Sequence, residues 1–261
     1  MGILNVTPDS FSDGGAYADA AAAVAHARAM IAGGATIIDV GGESTRPRAP
    51  VVDAVEELAR VVPVLDALGD DVAAVAWSID TRRASVAAVA LEAGAVLVND
   101  VSAGADPDMF PLVADRGAGI CLMHMQGDPA TMQDDPRYGD VVSEVAAFLE
   151  SRMRAATDAG IAEDAIVLDP GIGFGKTAAH NLALIHGLRT ILRLGRPVLV
   201  GVSRKGIIGE ITGRAVDDRL AGSIGAALAA VGAGAAVVRV HDVRETVDAL
   251  RVFTEMGGGM G

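Results

Sequence analysis

The sequence predicts a single-domain (β/α)8 barrel, and three observations carry that expectation. Eight short apolar runs alternate with segments that read as helices. Each run ends on polar or charged side chains, always at its C-terminal end. The chain has 261 residues, close to the roughly 250 of one such barrel. Parallel strands joined by right-handed crossovers place all eight ends at one mouth, where a barrel builds its active site. A doubly wound open sheet is the competing architecture, and the count of eight favours closure.

In order, Ile3-Leu4 leads to Asn5, and a helix is expected over 18–33. Ile37-Ile38 leads to Asp39 and Glu43, before a helix over 53–69 whose Asp53 and Glu56 suggest a capped first turn. Ile79 ends at Asp80 before a helix over 83–93, and Val96-Leu97-Val98 ends at Asn99-Asp100 before one over 107–117. Ile120-Cys121-Leu122-Met123 leads to His124, then to a helix over 139–160 that Asp140 starts. Ile166-Val167-Leu168 reaches Asp169, followed by a helix over 178–195. Val198-Leu199-Val200 reaches Ser203-Arg204-Lys205, a short helix opening at Gly206, and a longer one over 217–231. Val237-Val238 reaches Arg239 and His241, and a helix over 244–256 ends the barrel. Residues 1–256 form the domain, and Gly257 to Gly261 are expected to be a disordered tail.

Composition narrows the function. Hydrophobic residues make up 51% and aromatics 3%, so the core is built mostly of Ala, Val, Leu and Ile. A net charge of −13 repels nucleic acid and anionic membrane, so an anionic substrate needs local cations or a metal. The one cysteine, Cys121, excludes an internal disulfide, fits a reducing compartment, and reads as a buried small hydrophobe. Leu220 to Val238 carries no charge, but its Ala and Gly bury little apolar area and its glycines break it; it reads as helix plus strand, not a membrane span.

Asp80, Asn99 and Asp169 supply two acceptors and an amide, and Lys205 a donor. That mixture suits a flat, nitrogen-rich heterocycle with adjacent N–H groups. Capping explains one such residue, but not four on successive strand tips. Arg239 and His241 suit an anion; an ion pair of Arg239 with a neighbour such as Asp242 is the plainer alternative. Asn5 could be one Mg2+ ligand if a diphosphate supplied the others. Gly171 to Lys176 lacks phosphate-loop spacing, and its glycines let the backbone approach a ligand beside Asp169. The free N–H groups of the short helix at Gly206 could receive a carboxylate. His124 reads as a satisfied strand-end residue, and His26, His180 and His186 as ordinary helix positions. The long loops Val6–Ala18 and Gly41–Pro50 carry Ser, Thr, Asp and Arg at the mouth and read as a lid.

Met1 to Gly15, Asp39-Val-Gly-Gly-Glu-Ser-Thr-Arg-Pro, Ser78-Ile-Asp-Thr, Asn99-Asp-Val-Ser and Leu122-Met-His-Met-Gln-Gly together resemble the dihydropteroate synthase family. So do Leu168-Asp-Pro-Gly-Ile-Gly-Phe-Gly-Lys, Ser203-Arg-Lys and Arg239-Val-His-Asp-Val, in the same order along nearly the whole chain. The resemblance implies a cytoplasmic homodimeric transferase of folate biosynthesis that uses Mg2+. It joins 6-hydroxymethyl-7,8-dihydropterin diphosphate to 4-aminobenzoate and releases pyrophosphate by dissociative substitution. It further implies that Asp80, Asn99, Asp169 and Lys205 hold the pterin, and that Asn5 (through Mg2+), Arg239 and His241 hold the diphosphate. Thr45, Arg46, Pro47, Phe174 and Lys205 would frame the aminobenzoate, and Lys205, Arg239 and Asp80 are the expected catalytic set. The family pattern has Gly where this chain has Arg48, and often Ser where it has Gly206. A related pterin-binding methyltransferase would need neither Ser-Thr-Arg-Pro nor Ser-Arg-Lys, and a non-catalytic paralogue would not need Asn5 and Arg239; all are present.

Overall fold

A computed structural model describes residues 1–6, 16–44, 52–68, 75–129 and 131–259, for 16–19 the backbone only. Strands and helices alternate: β1 (Gly2–Asn5), α1 (Ala16–Ala32), β2 (Ile37–Gly41), α2 (Ala54–Leu68), β3 (Ala76–Asp80), α3 (Ala84–Glu92), β4 (Leu97–Asp100), α4 (Met109–Arg116) and β5 (Gly119–Met123). Then follow α5 (Val141–Asp158), β6 (Ile166–Asp169), α6 (Ala178–His186), α7 (Leu188–Leu192), β7 (Leu199–Val200), α8 (Gly206–Thr212), α9 (Leu220–Gly232), β8 (Val237–Val238) and α10 (Val243–Glu255). β1 to β6 pair in sequence order and β7 pairs with β8, all in parallel. Single bridges close the ring: Leu168 N–H donates to Pro197 O at 3.0 Å, and Ile3 N–H to Val240 O at 3.0 Å. The expected barrel is therefore present, and its strand ends share one mouth.

The core follows from composition. Leu4, Ile38, Ile79, Val98, Ile120, Leu122, Leu168 and Val200 are wholly buried, with Ala23, Ala27, Ala87, Ala90, Ala227 and Ala230 of the helices packed close outside. Small helix faces let the helices sit near the sheet, which is how a chain with so few aromatics fills its interior. Cys121 is buried in β5 as expected, and burial pushes its thiol well above the ordinary range. Asp53 Oδ1 accepts from Glu56 N–H at 2.8 Å, and Asp140 caps α5 through Val142 and Ser143.

Two expectations shift. The helix expected over 178–195 is two, α6 and α7, broken at Gly187, where a Cβ would lie 2.8 Å from Val142 Cγ2. The uncharged stretch from Leu220 divides into α9 and β8 as expected, and no helix among the described residues is long and apolar enough to cross a membrane. The expected disordered tail begins instead in an ordered turn: Gly257 N–H donates to Thr254 O (3.0 Å) and Gly258 N–H to Phe253 O (2.8 Å).

Candidate active site

Register sets the site's levels. Asn5 stands level with Gly41, Gly41 with Asp80, and Asp80 with Asn99, so three of the expected residues ring the mouth at one height. Gly41 matters there, since a Cβ on it would lie 3.3 Å from Asp80 Cβ. Asp39 stands one inward-facing layer deeper, level with Ser78 and two residues before Gly41. Its Oδ2 accepts from Asn99 Nδ2 at 2.9 Å and from Arg239 Nε at 2.6 Å. Arg239 also donates through an outer nitrogen to Asp80 Oδ2 at 2.6 Å.

Arg239 is thus not the free cation that its sequence position suggested, and its partners are Asp39 and Asp80 rather than Asp242. Asp242 pairs instead with Arg204, whose Nε donates to its Oδ2 at 3.1 Å. Burial disfavours charge on both Asp80 and Arg239, so the arrangement is electrostatically tense. Burial pushes the Asp80 carboxyl up to about 7, with Arg239 opposing and Asp39 adding to the rise. Asp39 and Asp80 together raise the Arg239 guanidinium further, so it is always charged.

Across the mouth, Asp169 Oδ1 accepts from Gly171 N–H at 2.7 Å. Burial raises its carboxyl, while Lys205 pulls the other way. Lys205 stands at the N-cap position of α8, donates to Ile172 O, and lies 4.6 Å from the centre of the Phe174 ring. Burial lowers its ammonium to about 8 against the attraction of Asp169. The expected pterin residues and Phe174 therefore converge. His241 Nδ1 lies 3.0 Å from Ser203 Oγ, which also accepts from His241 N–H, tying the ends of β7 and β8 together.

Lys176 reaches His124 Nδ1 at 2.9 Å, Phe174 O at 2.9 Å and His124 O at 3.3 Å, three acceptors for one buried ammonium. It holds the loop after β6 against β5. Burial and Lys176 push His124 down to about 3, so the imidazole is neutral and accepts through Nδ1. His124 is a satisfied strand-end residue, as expected. At φ 66° the Gly171 backbone abuts the His124 carbonyl, where a Cβ would fall 1.8 Å from the oxygen, so its close approach serves the packing of this loop on β5. Asn181, which nothing in the sequence singled out, accepts from Gly173 N–H at 2.8 Å.

Beside the second long loop lies a charge cluster that spacing could not reveal. Arg83 donates to Glu43 Oε2 at 2.7 Å, to Glu57 Oε2 at 2.6 Å and to Val52 O, while Arg82 reaches Glu43 Oε1 at 3.1 Å. Val52 N–H also donates to Glu43 Oε1, at 3.2 Å. Glu57 is wholly buried, and burial raises its carboxyl against Arg83. Replacing Arg83 with Met would leave that charge without its cation. The expected loss is roughly 3–5 kcal/mol of stability in urea unfolding, and a change below about 1 kcal/mol would show the cluster to be dispensable. Thr45, Arg46, Pro47 and Arg48 lie outside the described residues, as does the first loop from 7 to 15.

A model of the family described as pterin binding enzyme matches residues 1–241. The chain belongs to the pterin-binding enzyme family. Among relatives of this pterin-binding barrel, the dihydropteroate synthase of Escherichia coli (strain K12) is 47% identical over 253 residues, 97% of this chain and 89% of the relative. The Yersinia pestis dihydropteroate synthase, solved in complex with a sulfonamide drug, superposes with a TM-score of 0.93 at 44% identity, covering 98% of this chain and 93% of that one. The Xanthomonas albilineans enzyme, solved with 7,8-dihydropteroate, gives 0.89 at 45% identity, covering 98% and 92%.

Proposed function

We propose that this pterin-binding barrel is a dihydropteroate synthase, a transferase of folate biosynthesis that joins 6-hydroxymethyl-7,8-dihydropterin diphosphate to 4-aminobenzoate and releases pyrophosphate. The observation that carries the reading is the convergence of Asp80, Asn99, Asp169 and Lys205 on one mouth beside Arg239. Asp80 and Asp169 accept from adjacent ring N–H groups, Asn99 offers its amide, and Lys205 donates to a ring acceptor. Phe174, beside Lys205, forms one wall for the aminobenzoate, and Thr45, Arg46 and Pro47 of the second loop complete it.

The C–O bond to the diphosphate breaks first. Arg239 engages Asp39 and Asp80 through two of its five N–H groups, leaving others to meet the negative charge growing on pyrophosphate. His241 adds a donor on the same side. Positive charge at the exocyclic carbon spreads into the electron-rich dihydropterin, and the carboxylates of Asp80 and Asp169 favour it. The amine, already aligned, then forms the C–N bond and loses its proton. No side-chain nucleophile is needed.

Among the described residues no trio of His, Cys, Asp or Glu could hold a metal, whereas half-buried Asn5 offers one neutral oxygen at the tip of β1. That fits Mg2+ whose other ligands come from the diphosphate, and it would supply further charge neutralisation of the leaving group. The same reading takes the enzyme as cytoplasmic and homodimeric. Exposed Ile211, Val216 and Leu220 give the α8–α9 side an apolar surface for a second copy, and light scattering near twice 26.4 kDa tests it.

Pyrophosphate release should require both substrates and Mg2+; release independent of aminobenzoate would refute the reaction. Asp80 must be ionised to accept two ring donors, and its carboxyl lies at about 7. We therefore expect kcat/KM for the pterin substrate to fall as pH drops below about 7, and this limb to be absent from the profile of Asp80→Asn.

A further inference from the structure

We infer that Asp39 is the positioning residue of the site, setting the amide orientation of Asn99 and the aim of Arg239 from beneath. The carboxylate is wholly buried one layer below Asp80 and Asn99, so it acts on substrate only through its neighbours. Both donors fall on one oxygen, Oδ2: Asn99 Nδ2 at 2.9 Å and Arg239 Nε at 2.6 Å.

That sharing decides a question the amide's shape leaves open. An asparagine side chain can present either end to a partner. An oxygen that already accepts from a guanidinium cannot donate, so Asn99 must give Asp39 its NH2 group. Its Oδ1 is then turned away from Asp39, as an acceptor for a ring N–H. The same carboxylate takes the Nε side of Arg239 while Asp80 takes an outer nitrogen at 2.6 Å. Two carboxylates, one on Nε and one on Nη2, hold the guanidinium plane, which leaves the N–H groups of Nη1 unused by either. Asp39 thereby links the half of the site that reads the ring to the half that meets the diphosphate. The carboxylate's other oxygen, Oδ1, has no hydrogen-bond partner among the described residues, so the two donors on Oδ2 are the contacts through which it acts.

The inference rests on the reading of Asn99 as a pterin ligand, and one set of variants separates the two. Calorimetry with 6-hydroxymethyl-7,8-dihydropterin diphosphate and Mg2+, without aminobenzoate, gives the affinity. Asn99→Ala should weaken binding at least tenfold; an unchanged affinity overturns the role of Asn99 itself. Given that loss, Asp39→Asn should weaken binding by tenfold or more, because an amide at 39 can donate to Asn99 Oδ1 and turn it over. Asn99→Asp should weaken it as well, by facing one carboxylate with another. The exchange D39N/N99D restores a donor beneath an acceptor and should recover at least fivefold over Asn99→Asp, an effect that loss of packing would not produce. Asp39→Asn within twofold of the unmodified protein, or an exchange no better than Asn99→Asp, overturns the inference. If Asp39→Asn does not fold, the comparison of Asn99→Asp with the exchange still decides.

Discussion

Replacing Asp169 with Asn is expected to weaken binding of the dihydropterin diphosphate by roughly 10–100-fold, the loss of one charge-assisted hydrogen bond. The carboxylate spends Oδ1 on Gly171 N–H at 2.7 Å, which leaves the other oxygen for a ring donor. An amide in its place must either turn its NH2 towards Gly171 N–H, donor against donor, or turn it towards the ring with the same conflict. The change also removes the anion that holds charge on Lys205, whose ammonium burial already lowers to about 8. Affinity for the pterin should therefore fall while the melting temperature changes little. Calorimetry without aminobenzoate checks this, and an unaltered dissociation constant would remove Asp169 from the site.

Arg239→Met carries the other large effect, and here stability falls together with activity. Arg239 is the shared cation of two buried carboxylates, Asp39 and Asp80, each 2.6 Å from it. Removing one partner of a buried pair costs roughly 3–5 kcal/mol, because the remaining charge is uncompensated. The sign of the pH dependence follows. Without Arg239 the carboxyl of Asp80, at about 7 with the cation present, moves higher still. A folded-state value above the unfolded one stabilises at low pH and is lost as pH rises through it. The deficit of the variant should thus be small near pH 4 and grow through and beyond about pH 7. Urea unfolding across that range tests it, and a deficit independent of pH would show that the two carboxylates are not held by this guanidinium.

The mouth residues differ in how far their roles could be read from the chain. Asp80, Asn99 and Asp169 end apolar runs, and an apolar run with a polar tip is a local pattern, so their gathering at one mouth was expected; register then sets Asp169 two residues beyond the level that Asp80 and Asn99 share. Lys205 was expected at the mouth, and the structure adds its contacts with Phe174 and Ile172. Asp39 also ends a run, yet its position one layer down depends on the register between β2 and β3, which no spacing discloses. Lys176 closes a glycine run that lacks phosphate-loop spacing, and the structure makes it a buried tie between β5 and the loop after β6. The Glu43–Arg83–Glu57 cluster joins positions 40 and 26 residues apart and left no periodic trace.

By itself the sequence determined the barrel, the eight strand ends that face one mouth, and the chemical types gathered there. Those follow from hydrophobic periodicity and from which residue ends each run, and both are properties of neighbouring residues. Only the tertiary structure decided the pairing of charges within the mouth. Arg239 was read as a cation awaiting an anion, with Asp242 as the nearest partner in the chain; it is held by Asp39 and Asp80, 200 and 159 residues away. The physical reason is that closing the ring brings the end of β8 beside β1 and β2, and a buried guanidinium takes whichever carboxylates that closure places around it.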